Sequence, residues 1–259
     1  MPTLFVGHGS PMNALAENNF TQSLNRLGQT LPRPKAILMI SAHWLTAGTW
    51  VTHMPNPKTI HDFYGFPKAL FDVQYPAVGD PKLAEQIQSL IPKPKVQLDQ
   101  AWGFDHGTWS ILKHIYPKAD IPVLQLSIDM SEPPEFHFEL GKKLRALRKL
   151  GVLIMGSGNI VHNLRQIAWG DPNGALPWAI EFDSEVKQHL EKRDYKPLMG
   201  ELLQTPAGRL SVPTPDHYYP LLYILGASDE SDQLTFPIEG YELGSISLRS
   251  LIFDKKTTN

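Results

Sequence analysis

Five of the ten histidines stand where an imidazole can do chemistry rather than fill space. His8 sits between two glycines in LFVGHGSP, at the end of an apolar run. His43 follows a second apolar run in MISAHW, and His162 lies just past a third in GVLIMGSGNIVHN. His106 and His217 fall in WGFDHGTW and PTPDHYYP, segments dense in Gly, Pro and aromatic residues. Imidazole changes charge near neutral pH and, when neutral, is the commonest protein ligand of transition metals. The chain has no cysteine, so any metal site must be built from His, Asp, Glu and oxygen donors. Three neutral imidazoles leave a divalent ion its full charge. Such a site suits a zinc hydroxide that hydrolyses or hydrates, and equally a ferrous ion with open positions for a substrate and dioxygen. The common iron version has two histidines and a carboxylate. Residue chemistry alone leaves both open.

Each of these histidines also has a structural alternative. Trp44 beside His43 makes a packing pair. Gly156-Ser157-Gly158-Asn159 before His162 reads as a simple turn, or as a phosphate cradle lacking the lysine of a P-loop. Asp105 can orient His106 as a buried pair. Asp216 is a better cap than His217 for the helix that follows, which leaves the His217 ring free. His61 in TIHDFYGFP is ambiguous, and His53, His114, His137 and His189 sit in irregular, helical or surface-like patterns.

The elements that would position these residues follow from hydrophobic pattern. PTLFVG (2–7), AILMISA (36–42), IPVLQLSI (121–128) and GVLIMGSG (151–158) are short continuous apolar runs, the mark of strands buried on both faces. GSISLRSLIF (244–253) alternates like a further strand. Helical spacing recurs over 80–91, with Asp80 as N-cap and Pro81 at the first position. It recurs over 131–151, opened by Ser131 and stopped by Gly151, and over 177–193 and 217–228. Strands alternating with helices predict an α/β fold, a central, mostly parallel or mixed sheet flanked by helices. No repeat, low-complexity tract or Gly/Ser linker divides the chain, so residues 1–259 are expected to form one catalytic domain. In such sheets functional groups gather at the carboxyl ends of the strands, where His8, His43 and His162 fall.

Bulk composition narrows the function. Apolar residues make up 42%, enough for a sizeable core, and 24 basic against 26 acidic side chains leave a net charge of -2. Without a basic stripe, nucleic acid and anionic membrane surfaces are not expected partners. No apolar segment approaches the roughly 18 residues that read as a membrane span. The first residues lack the pattern of a secretory leader, so a cytoplasmic location is expected. A monomer or small homo-oligomer is the expected state.

Taken in order, GHGSPM, SAHW, TIHDFYGFP, WGFDHGTW, SGNIVHN and PTPDHYYPLLYILGA resemble the 4,5-DOPA extradiol dioxygenase family, within the LigB-like, class III extradiol ring-cleavage dioxygenases. The resemblance spans essentially the whole chain. It implies a LigB-like fold and a non-haem Fe(II) site that opens a catechol ring beside its two hydroxyls with O2, giving a muconic semialdehyde. Zn(II) is the second metal such a site would bind. By the resemblance, His8, His43 and His217 are metal ligands. His162 is an acid/base catalyst or a fourth ligand, and His106 lies close enough to contact the substrate or dioxygen. The wider class usually has glutamate as third ligand. Here the late glutamates Glu239 and Glu242 read as a solvated loop. Trp44, His61, Phe63 and Tyr218 are candidate pocket walls for a planar ring, and Arg165 and Lys58 are candidate partners for a substrate carboxylate. A zinc hydrolase and a non-enzymatic metal-binding protein on the same fold are the alternatives.

Overall fold

In the computed structural model, which describes residues 1–171 and 173–255, eight strands form one twisted sheet. In chain order they are β1 (Thr3–Gly7), β2 (Ala36–Thr46), β3 (Trp50–Thr52), β4 (Gln97–Asp99), β5 (Val123–Asp129), β6 (Val152–Gly158), β7 (Asp232–Ile238) and β8 (Ser250–Lys255). Across the sheet the order is β4-β3-β5-β2-β6-β1-β8-β7. The central strands β5, β2, β6 and β1 are parallel. The flanking β3–β5, β1–β8 and β8–β7 pairs are antiparallel, so the sheet is mixed. Six helices of nine or more residues cover it: α1 (Asn19–Thr30), α2 (Pro81–Leu90), α3 (His106–Ile115), α4 (Pro134–Leu144), α5 (Pro177–Lys192) and α6 (Tyr219–Ala227). None is long and apolar enough to cross a membrane.

The continuous apolar runs are explained by two cores, one on each face of the sheet. Leu4, Ile37, Met39, Leu153 and Met155 point into the layer with α1 and α3. Phe5, Leu38, Ile40, Val152 and Ile154 point the other way, into the layer with α4, α5 and α6. The period of two along each strand sends alternate apolar residues to opposite faces, so both parities must be apolar.

Several boundaries differ from the sequence reading. Asp80 does cap α2, accepting from the Leu83 N–H at 3.0 Å. Ser131 does not cap α4, because its hydroxyl and N–H both turn back to Asp129, and the helix opens later, at Pro134. The alternating run 244–253 is two strands rather than one. Ile246–Ser247 pairs with Tyr241–Glu242 in a small hairpin, and β8 joins the main sheet. Between them Arg249 turns inward to the buried Asp183 carboxylate of α5, at 2.9 Å from its Nε.

One buried histidine lies away from the strand ends. His137 of α4 packs on Tyr219 of α6 with ring centroids 4.1 Å apart, and its Nδ1 is 3.0 Å from the Tyr223 hydroxyl. Burial pushes its pKa down to about 4, against the opposing pull of the Glu132 backbone and the Asp129 carboxylate. The unfolded chain takes up this proton near pH 6.5 and the folded chain only near 4. Stability is therefore complete above pH 6.5 and falls as pH drops toward 4. The loss is about 1.4 kcal/mol per pH unit, about 3 kcal/mol in all. His137→Leu should remove most of this share of the acid sensitivity. Urea midpoints at pH 7 and pH 4.5 measure it, and an unchanged difference between the two would show that the loss arises elsewhere.

Candidate metal centre

The parallel strands deliver their histidines to one edge. β1 ends at Gly7, and the His8 N–H continues the pairing by donating to the Gly158 carbonyl at 3.0 Å. Gly7 has no room for a side chain, since a Cβ there would lie 2.7 Å from the Ser247 carbonyl oxygen. Gly9 turns the chain at a positive φ of 63°, which glycine adopts without strain. On β2 the register with β5 jumps between Ile40 and Leu45, and this irregularity carries His43 off the regular ladder. His217 lies in the turn before α6, tied to β6 by its carbonyl, which accepts from Asn159 N–H at 2.8 Å.

One ring nitrogen from each of His8, His43 and His217 lies within 4.8 Å of the other two. The groups beside each Nδ1 decide which nitrogen is bare. The Ser157 hydroxyl donates to the Gly107 carbonyl at 2.6 Å, so its oxygen accepts from His8 Nδ1 at 3.0 Å. Asp62 Oδ2 stands 3.5 Å from His43 Nδ1, and Asp216 Oδ2 accepts from His217 Nδ1. With each Nδ1 carrying its proton, Nε2 is the lone-pair atom of all three rings. The bare Nε2 atoms of His8 and His43 then face each other at 3.3 Å, a repulsive contact that a cation between them converts into coordination. This arrangement, in which partners outside the ligand set hold the distal proton and orient the ring, is the one metal-bound histidines use. The donor set fits a divalent transition metal.

Burial and the neighbouring histidines push the His8 and His43 pKa values well below the ordinary value, so both are neutral at pH 7 as coordination requires. A second group, His43, Asp62 and His106, is equally close. Asp62 there accepts the His106 Nδ1–H at 2.9 Å and the His106 backbone N–H at 2.8 Å. Burial raises the Asp62 pKa, but the bonds from His106 outweigh it and hold the carboxylate below its usual range. His106 Nδ1 donates to Asp62 and His43 Nδ1 faces the same oxygen at 3.5 Å, so Asp62 acts in this group as an acceptor rather than as a ligand.

His106 opens α3 with its ring 3.8 Å from that of His43. Asp105 does not orient it. Asp105 caps the helix through Thr108 N–H and binds the Ser41 hydroxyl and the Gln125 amide. His162 stacks on His217, centroids 3.5 Å apart and planes within 5°. Burial, then the nearby His217, pushes its pKa down to about 2 against the pull of Asp216. It opens onto a cavity of about 210 Å³ also lined by Arg165, Thr214 and Asp216.

The candidate pocket walls fare unequally. Phe63 stands edge-on to His106 at 5.6 Å. Trp44 is buried and stacks on Trp102 at 5.7 Å. Tyr218 is a correction. It is fully buried in the core, with its hydroxyl on the Leu198 carbonyl, and walls no pocket. His61 is partly buried behind Phe63, its Nε2 on the Val73 carbonyl and its ring among Phe63, Phe71 and Trp109. The residue of TIHDFYGFP that hydrogen-bonds to the clustered histidines is Asp62, which sequence reasoning passed over although it adjoins His61. Asp216 turns to His217 and caps nothing, and α6 begins without a side-chain cap. Glu242 is only partly solvated. It is half-buried and accepts from Ser10 N–H at 2.6 Å, while Glu239 pairs with Lys187 and Arg249.

Residues 3–247 match the family described as the catalytic LigB subunit of aromatic ring-opening dioxygenase. The chain belongs to this family. It is 52% identical to the 4,5-DOPA dioxygenase extradiol of Escherichia coli K12, over 97% of this chain and 94% of that protein. It is 36% identical to the 4,5-DOPA dioxygenase extradiol of Beta vulgaris, over 97% and 96%. The crystal structure of an uncharacterized Escherichia coli K12 protein superposes with a TM-score of 0.85 at 48% identity, covering 97% of this chain and 99% of that one. This LigB-family protein is an extradiol ring-cleaving dioxygenase, an oxidoreductase that depends on a metal. Membership decides against the hydrolase that residue chemistry had left open.

Proposed function

We propose that the enzyme holds ferrous iron on Nε2 of His8, His43 and His217 and opens a DOPA-like or caffeate-like catechol to a muconic semialdehyde. The observation that carries the reading is the convergence of one ring nitrogen from each of the three histidines, with His8 and His217 oriented by hydrogen bonds at Nδ1 and His43 facing the Asp62 carboxylate. When bound, the ion supplies the charge that favours the catecholate and brings both reactants together. The protein does the rest. His162, neutral beside His217, accepts a catechol proton and later returns one to the product. His106, with its Nδ1 proton on Asp62 and its ring 3.8 Å from that of His43, orients what binds at the cluster. Arg165, exposed at the cavity beside His162, is the cation placed to meet a carboxylate on the substrate side chain. Three neutral ligands also bind zinc readily, so zinc in a purified sample does not identify the working metal. The reading includes a cytoplasmic enzyme and, on a net charge of -2 with no basic stripe, no nucleic-acid partner.

The test is anaerobic reconstitution of the apoprotein with Fe(II), followed by DOPA, caffeate or catechol and air. Equimolar oxygen uptake with a yellow product is expected, and the zinc-loaded protein should give neither. Zinc-dependent turnover without oxygen consumption would overturn the proposal.

A further inference from the structure

We propose that Glu242 is a positioning residue that sets the place of His8 by gripping the main chain of its loop. The inference rests on His8 being a metal ligand, as proposed above. Glu242 stands on the hairpin strand Tyr241–Glu242, far from His8 in sequence. Its Oε2 accepts the Ser10 N–H at 2.6 Å, and both its oxygens lie 3.5 Å from the Asn13 amide. Ser10 in turn caps the short turn Pro11–Ala14. The approach is so close that a Cβ on Gly9 would lie 2.4 Å from Oε2. The second glycine of GHGSP therefore serves two ends, the positive φ and the space for this carboxylate.

The other strand of the same hairpin touches the opposite side of the site. Ile246 bridges His162, Ser247 N–H donates to the Val161 carbonyl at 3.0 Å, and Asn163 N–H donates to Ser245 at 3.1 Å. One hairpin thus supports both the first metal ligand and the proton-handling histidine, through a carboxylate on one side and backbone on the other. Glu242 touches neither ring. Its influence passes to His8 through two residues of main chain. Partners bonded to a ligand's own ring commonly change metal affinity by about 10- to 100-fold, and Glu242, acting through the backbone, is expected at the lower end of that range.

The test uses the full-length apoprotein and Co(II), whose visible spectrum reports ligand geometry. Glu242→Ala, and Glu242→Leu as the variant that keeps the volume, should weaken Co(II) binding about 10-fold and alter the visible bands, with the circular dichroism of the folded apoprotein retained. Glu242→Gln keeps an oxygen acceptor for Ser10 N–H and should stay within about three-fold of the wild type. Wild-type affinity and spectrum in folded Ala or Leu variants would overturn the proposal. So would a Gln variant as weak as Ala, because the accepted hydrogen bond would then not be the cause. His8→Ala serves as the reference. If it binds Co(II) like the wild type, the assignment of the metal site is what has failed.

Discussion

His8→Ala is expected to abolish metal binding and ring cleavage while leaving the apoprotein folded. Loss of one of three ligands should weaken metal binding by more than about 100-fold, beyond what loss of a supporting partner causes. The fold has little reason to notice. The His8 ring is buried with one hydrogen bond, to Ser157, and its other nitrogen faces the bare nitrogen of His43. Deleting it loses packing and that bond but relieves the opposed lone pairs, and Ser157 keeps its bond to Gly107. A net cost of about 1 kcal/mol corresponds to roughly 2–4 °C in Tm for a chain of this size. The wild type should melt higher when metal is added, because a ligand that binds only the folded state stabilises it, and the variant should not. Melting curves with and without metal, with metal analysis of the purified variant, measure both effects. A variant that retains its metal would remove His8 from the ligand set.

The sheet was legible in the sequence because its strands are buried on both faces. Phe5 and Leu4, or Leu38 and Met39, are apolar for different cores, and the run of apolar residues reports both. The histidines were legible because glycine and strand ends surround them. What surrounds a histidine in space was not. Asp62 and Asp105 each precede or follow a histidine in sequence, yet Asp62 serves His106, forty-four residues away, and Asp105 serves its own helix. Adjacent residues in an extended loop point to opposite sides, so His61 and Asp62 could not both face the centre, and only tertiary packing selects between them. Tyr218 beside His217 was misread because the helical turn there sends its ring to the core while the histidine goes to the edge. Ser157, which fixes the His8 tautomer, looked like part of a turn. Glu242 reaches the loop of His8, at Ser10, from a hairpin that the alternating pattern of 244–253 had merged into one strand.

His162→Phe separates proton handling from metal holding. Phenylalanine preserves a planar ring against His217, where the two imidazoles now stack at 3.5 Å, and deletes both nitrogens. If His162 moves protons, kcat should fall about 10²- to 10⁴-fold, the usual worth of a positioned acid/base group, while metal content stays within about two-fold of the wild type. KM for the catechol should change much less than kcat, because the loss falls on the chemical step. The geometry favours this outcome. The ring of His162 lies face to face with that of His217 rather than converging edge-on with the other ligands, and it is His8, His43 and His217 whose nitrogens form the close group. Its low proton affinity in the buried site means that it meets the substrate as a neutral base. A catecholate formed beside it would favour the protonated ring, which is then an acid strong enough to return the proton as the ring opens. Oxygen uptake under saturating catechol, paired with metal analysis of the same sample, distinguishes the roles. Parallel loss of metal and activity would make His162 a fourth ligand, and full activity would leave the proton transfers to His106 and its Asp62 partner.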